Sequence, residues 1–541
     1  GKQLRQVVNV FRQVLSRDPD HETERQKLLT LYTKIRRTTE ALDMADEVLE
    51  DDPDNAEAVW AKAMAHTRMR QFEQAIEFAR RYTNELKPLD MRGHELTFHL
   101  LRRLERGDEA ILGHARQTYE AHKDDPRAQW LMAYAHLQTG QQAPARELLN
   151  QAAGHEALSA DVTRRLVRLF DQLGEFKKSL SLLRRVNDQV KGPAPELARL
   201  LARRLWEQEK HDQLMQRFSD VDPEDPKTHS EVIALVALTR AQMGQTEKAR
   251  ELIKPLRSRK ADNLAQAWAE ALDEAVLAED LSAEERVEAW QGPLSRAQAH
   301  PYFLFFLGQA HRAKGNADRA LELWQRAARQ APAWPQPLLA STQVLMEHGR
   351  REQAFQFARQ LASRQGRHSP RAAVMLAQTW AANLDGADAQ QVQRLRRLVD
   401  RIQQAMPGER RTLPLQIQLL ARTGDKAKAK ERLQAVLQSD RKLPQQTLLT
   451  LARISERHDL GLAEACRQTA AKLHGQTLAL QLMEAQRLAE AGKPDAGWKR
   501  LQAADPGDEA SPARRKRWRR AAARYLTAIG RREEATRRWR E

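Results

Sequence analysis

Residues 301–332 read PYFLFFLGQAHRAKGNADRALELWQRAARQAP, and the fold can be read outward from them. Apolar residues recur at helical spacing from Tyr302 to Ala310, stop around Gly315, and resume from Ala320 to Ala328. The unit is therefore a helix, a tight turn and a second helix. Gly315 stands where the first helix must end in left-handed backbone. Ala320, five residues further on, is small enough for the first helix to approach the second. The same pair returns 34 residues later as Gly349 and Ala354.

That spacing runs through the chain. Pro19 and Pro53 are 34 apart, as are Ala41 and Ala75. A Gly stands five residues before a small residue at Gly140 and Ala145, Gly174 and Ser179, Gly244 and Ala249, Gly424 and Ala429, Gly492 and Gly497, and Gly530 and Ala535. A period of this size marks a solenoid, in which each unit buries its apolar face only against its neighbours. Helices of 12–14 residues are marginal alone in water, so packing between units must hold them.

The pattern resembles the tetratricopeptide repeat. Leu307, Gly308, His311, Gly315, Ala320, Trp324, Ala327 and Pro332 fall where that family places its packing residues and closing proline. Tyr32, Ala41, Ala45 and Pro53 match in the unit from 22 to 53. The resemblance implies an all-α, right-handed superhelical solenoid of about 14–15 antiparallel helix pairs. The expected organisation is an N-terminal array over 1–260 that opens on a half-repeat, an irregular pair over 261–300 where curvature can change, and a C-terminal array over 301–541 that stops inside a second helix. Neither end reads as a polar cap, which suggests a segment of a longer protein.

Composition narrows the classes of function. No apolar run approaches the ~20 residues that span a bilayer. Cys466 is the single cysteine, which excludes an intrachain disulfide and a cysteine metal cluster. His94 and His99 are five apart, on different sides of a helix, so they do not form the i, i+4 zinc pair. There is no phosphate-binding glycine loop and no nucleophile elbow. The expectation is a chain with no enzymatic activity, cofactor, metal or small-molecule substrate.

The net charge is +17, with 90 basic and 73 acidic residues. Residues 514–541 carry eleven Arg and Lys516 against three Glu, a net +9. Arg514, Arg515, Arg517, Arg519 and Arg520 form the densest patch, interleaved with Trp518, and Tyr525 and Trp539 follow. Basic residues among aromatics suit an anionic polymer, nucleic acid or acidic glycan, or an anionic membrane. A GC-rich genome and a solvated helical face give the same composition.

The resemblance also implies a concave groove lined by the first helix of each pair. Its groove positions fall on Trp60, Trp130 and Tyr134, on Arg164 and Arg168, and on Tyr302, Phe305 and Arg312. Aromatic and Arg residues dominate interface hot spots. Trp60, Trp130 and Phe305 also suit packing between neighbouring helices. The leading expectation is a scaffold that holds a protein or peptide in this groove and organises a multiprotein assembly. Divergent repeats in an Ala- and Arg-rich chain look bacterial. Long bacterial members of the family are often membrane-anchored and serve envelope assembly or polysaccharide export. The compartment is open: cytoplasmic, or periplasmic with an anchor that this chain does not contain.

Overall fold

A computed structural model describes residues 2–18, 21–189, 194–259, 262–277, 281–297, 300–365, 370–383, 389–405, 412–438, 443–507, 510 and 512–540. Among them are thirty-one α-helices and no strand. Within each unit the described helices pack mostly on the next helix in sequence and on the one after it, as in an α-solenoid. The chain divides into two compact units. One is Gly1–Pro337 with Arg364–Gly366; the other is Leu338–Ser363 with Arg367–Glu541. The irregular pair, Asn263–Ala271 and Ala283–Arg296, lies within the first.

The pair Pro301–Ala313 and Ala317–Gln330 shows why the sequence folds this way. Pro301 occupies the first turn, where its missing N–H costs no hydrogen bond. Gly315 has φ +91°, and the Asn316 amide returns to the His311 carbonyl at 2.8 Å, closing the helix end. Asn316 then caps the second helix by accepting from the Arg319 amide. Gly308 lets the indole of Trp324 lie against the first helix. A Cβ there would sit 2.4 Å from Trp324 Nε1, which instead donates to the Phe305 carbonyl at 3.0 Å.

The small residues that follow the turns are buried throughout: Ala75, Ala145, Ser179, Ala249, Ala320, Ala354, Ala429 and Ala535. The turn position itself is more regular than its glycines. Arg36, Arg70, Glu105 and Glu209 hold positive φ where Gly140, Gly174 and Gly244 do elsewhere, so the left-handed residue recurs every 34 or 35 residues from 36 to 244. Asp459 does the same in the second unit.

Among the described residues three pairs depart from plain α-helix, one of them where Thr246–Ile253 runs into a 3-10 turn at Lys254–Ser258. The helix Phe72–Arg81 runs into a π-turn at Tyr82–Leu86, and Asn263–Ala271 runs into one at Leu272–Val276. At the N-terminal helix, Lys2–Arg17, Val7 and Val10 are exposed. Pro19 falls outside the described residues. No described helix is long and apolar enough to cross a membrane.

Candidate functional site

Three successive first helices, Met91–Arg103, Pro126–Gln138 and Ala160–Gln172, bring groove positions together. Trp130 and Tyr134 lie one helical turn apart and stack, with centroids 5.3 Å apart and planes 20° apart. Phe98, on the preceding first helix, meets Tyr134 at 5.5 Å. The guanidinium of Arg165, on the following one, covers Trp130 at 5.3 Å. Glu95 ties the outer helices together, pairing with Arg165 at 2.7 Å and also with Arg168. Asp161 pairs with Arg164 and Arg165.

Burial separates the roles of these residues. Trp130 is fully buried, so it is the floor of the surface. Tyr134 is half-buried, and Arg164 and Arg168 are exposed. The Tyr134 phenol is held above its ordinary pKa by burial and by Glu95, with Arg168, Arg102 and Arg165 opposing. It stays protonated at neutral pH and can donate or accept a hydrogen bond. Arg165 escaped the sequence reading. Its i, i+4 spacing to Asp161 hinted at a pair, but nothing in the sequence places Trp130 beneath it.

Trp60 lies apart from this cluster. It is half-buried, 5.3 Å from the Tyr82 ring and 5.7 Å beneath Arg92. Arg92 and Tyr82 both bind Asp90. Burial pushes that carboxyl up, but these hydrogen bonds prevail and hold it at about 2.

The structure revises the groove reading at Tyr302 and Phe305. Both are buried by the chain itself. Tyr302 lies 4.8 Å from Trp206 and 4.8 Å from Trp334; Phe305 lies 4.7 Å from Trp334. Trp206 belongs to the first helix Pro195–Glu207, so side chains of the array fill this stretch of the first-helix face. Buried charge supports the aromatic plug. Tyr302 donates to Glu207 Oε1 at 3.1 Å, and Arg203 pairs with the buried Glu231 at 2.7 Å. Arg312 is half-buried in the last turn of its helix, away from the 91–172 cluster in sequence.

At the C-terminal end, Arg514, Arg517 and Arg520 are exposed on the helix Pro512–Ala528, while Arg515 and Arg519 are half-buried. The aromatics among them face inward. Trp518 is buried and donates to the Leu501 carbonyl at 3.0 Å; Tyr525 is buried and donates to the Pro494 carbonyl at 2.8 Å. They offer no open ring for a nucleobase to stack on. The Trp539 side chain lies outside the described residues.

His94 is bonded away from any metal role, with Nδ1 2.9 Å from Nε2 of His114 and Nε2 2.7 Å from the Pro88 carbonyl. No group of three potential metal ligands is found among the described residues. Burial pushes the Cys466 thiol up to about 12, which leaves it an unreactive core residue.

No protein-family model matches the chain, and no curated protein matches it. Solved structures do. The crystal structure of the APC/C hetero-tetramer Cut9-Hcn1 contains a chain that aligns over 93% of this one and 98% of its own length, at a TM-score of 0.50 and 11% identity. At that identity the likeness speaks for fold alone. Together with the recurring helix pairs and left-handed turns, it makes the architecture that of a tetratricopeptide-type α-solenoid.

Proposed function

We propose that the chain is a non-enzymatic scaffold that holds a protein or peptide against the first-helix surface of residues 91–172. The observation that carries this reading is the Trp130–Tyr134 stack clamped by Arg165 and Glu95. It sets Tyr134 in one orientation on a rigid floor, with Arg164 and Arg168 exposed beside it. A pre-ordered aromatic with flanking guanidinium groups loses little entropy on binding. Tyr134 would make the central contact. Arg168 would exchange part of its pairing with Glu95 for a partner carboxylate. The fold supports this reading, since solenoids present extended surfaces to other macromolecules. The structural neighbour is itself one chain of a hetero-tetramer.

The test is affinity capture from the source organism with the wild-type chain and with Tyr134→Ala, Arg168→Ala. A partner held by the wild type and lost from the double variant, with helical content unchanged, supports the proposal. The same captured set from both proteins would exclude this surface.

A further inference from the structure

The helix Pro512–Ala528 carries seven basic side chains and no acid. Packing decides which of them face outward. Trp518, Ala522, Tyr525 and Leu526 are buried in one core cluster with Trp498 and Leu501 of the preceding helix. At about 100° per residue, these four fall within an arc of about 100°. Lys516, Arg517, Arg520 and Arg524 fill an arc of the same width on the opposite side, and all four are exposed. The bonds from Trp518 and Tyr525 to the Leu501 and Pro494 carbonyls hold the helix in this rotation.

The helices packed most closely against it are Leu478–Glu490, Pro494–Gln502 and Arg532–Arg540. Most of their acids are committed to other cations. Glu484 pairs with Arg500 at 2.7 Å, and Asp495 and Glu534 pair with Arg531 at 3.4 and 2.9 Å. Glu490 and Glu533 are exposed, and neither pairs with the stripe. Asp505, in the connecting turn, accepts from the Gly507 amide; Asp508 and Glu509 lie outside the described residues. Among the described residues, Lys516, Arg517, Arg520 and Arg524 make no hydrogen bond or ion pair. Arg515, Arg519 and Arg538 are engaged within the chain and form no part of the stripe.

The chemistry of this face selects its partner. Beside the four cations it presents Thr527, and it has no aromatic or large apolar side chain. A single-stranded nucleic acid needs a ring to stack on. A membrane-surface helix needs apolar side chains to bury, and a protein interface needs an aromatic or apolar anchor at its centre. A duplex needs none of these. Its phosphates lie outermost, and binding without regard to sequence is held by charge. Each guanidinium can give one phosphate two parallel N–H donors. From Lys516 to Arg524 the helix advances about 12 Å, over which one strand of a duplex presents about three to four phosphates.

We infer that the outer face of this helix binds the phosphate backbone of a nucleic-acid duplex, irrespective of its sequence. The face lies wholly in the second unit and shares no residue with the 91–172 surface. It therefore stands or falls apart from the scaffold reading above.

The experiment is fluorescence anisotropy on the full chain, with a short labelled DNA duplex of mixed sequence and salt varied from about 50 to 200 mM. Each neutralised phosphate contributes about −0.9 to the slope of log K against log salt, so the wild type should give about −3 to −4. Arg517→Gln, Arg520→Gln and Arg524→Gln together should bring the slope to about −1. Lys at the same three positions keeps the charge and should keep the slope, which separates lost contacts from lost fold. Arg164→Gln with Arg168→Gln, on the 91–172 surface, should change nothing. A second duplex of unrelated sequence should bind equally well. The inference is overturned if the duplex fails to bind at low salt, if the triple Gln variant keeps the wild-type slope, or if the 91–172 substitutions abolish it. It is also overturned if one sequence is strongly preferred, or if polyglutamate or phosphatidylserine vesicles compete as strongly as unlabelled duplex.

Discussion

The Tyr302 phenol donates to the Glu207 carboxylate across 95 residues of sequence. Solenoid packing is otherwise dominated by neighbours, so this bond is unusual for its architecture. Glu207 is buried, and burial raises its pKa while Arg204 and Arg203 oppose. Tyr302→Phe removes one donor from a buried carboxylate and should destabilise the first unit by about 1–3 kcal/mol. Glu207→Gln in the Tyr302→Phe background should cost less than Glu207→Gln alone. Urea melts of the four proteins of this cycle test the coupling. Additive losses would mean that the bond contributes nothing.

Gly308 is a second sensitive point. Gly308→Ala places a methyl group 2.4 Å from Trp324 Nε1, so the indole must move and its bond to the Phe305 carbonyl must lengthen or break. A loss of about 1–3 kcal/mol is expected. Hydrogen exchange should show the damage confined to the pairs flanking 301–330. Loss of protection spread evenly over the chain would contradict nearest-neighbour energetics.

Arg70 carries a side chain at φ +61° on an exposed turn. Left-handed backbone costs a non-glycine residue about 1–2 kcal/mol, and the extra unfolded-state freedom of Gly returns about 0.5–1. Arg70→Gly should therefore stabilise by about 0.5–1 kcal/mol. An unchanged or lowered denaturation midpoint would refute it.

The buried pair His94 and His114 sets an acid limit. Burial lowers both pKa values; His114, also opposed by His94 and Arg80, falls to about 3. The folded pair stays neutral while the unfolded chain protonates near 6.5. The unfolded state thus binds more protons between those values, and the pair's contribution is full above about 6.5 and lost as pH falls towards 3. The melting temperature should drop over this window, and His114→Gln should make that drop shallower.

The arrangement of paired helices was legible because Gly140, Gly174, Gly244 and Gly315 repeat against buried small residues. The repeat looked weaker than it is at Arg36, Arg70 and Glu105, where ordinary residues adopt the glycine conformation under tertiary constraint. Trp130 and Tyr134 were legible as candidates through the groove positions that the family resemblance implies. Which of the two is floor and which is surface depends on Arg165 from the next helix. Tyr302 and Phe305 misled for the same reason. A groove position is defined within one repeat, whereas Trp206 and Trp334, which cover them, arrive from other repeats. The aromatics of the basic end read as a stacking platform because sequence does not show that Trp518 and Tyr525 reach back to the carbonyls of Leu501 and Pro494.

The Glu207–Tyr302 bond has one more consequence. An array held by neighbours alone is indifferent to its own length, and units can be gained or lost without offence to the rest. A bond that skips over intervening units makes the chain count. The helices between Glu207 and Tyr302 form a closed span of set number, and adding or deleting one pair there would carry Trp206 out of reach of Trp334. Insertion of a spare repeat before Ser230 should therefore unfold the first unit, whereas the same repeat inserted at Gln142 should be accommodated. Thermal melts of the two insertions would show whether this stretch of the solenoid tolerates change of copy number or forbids it.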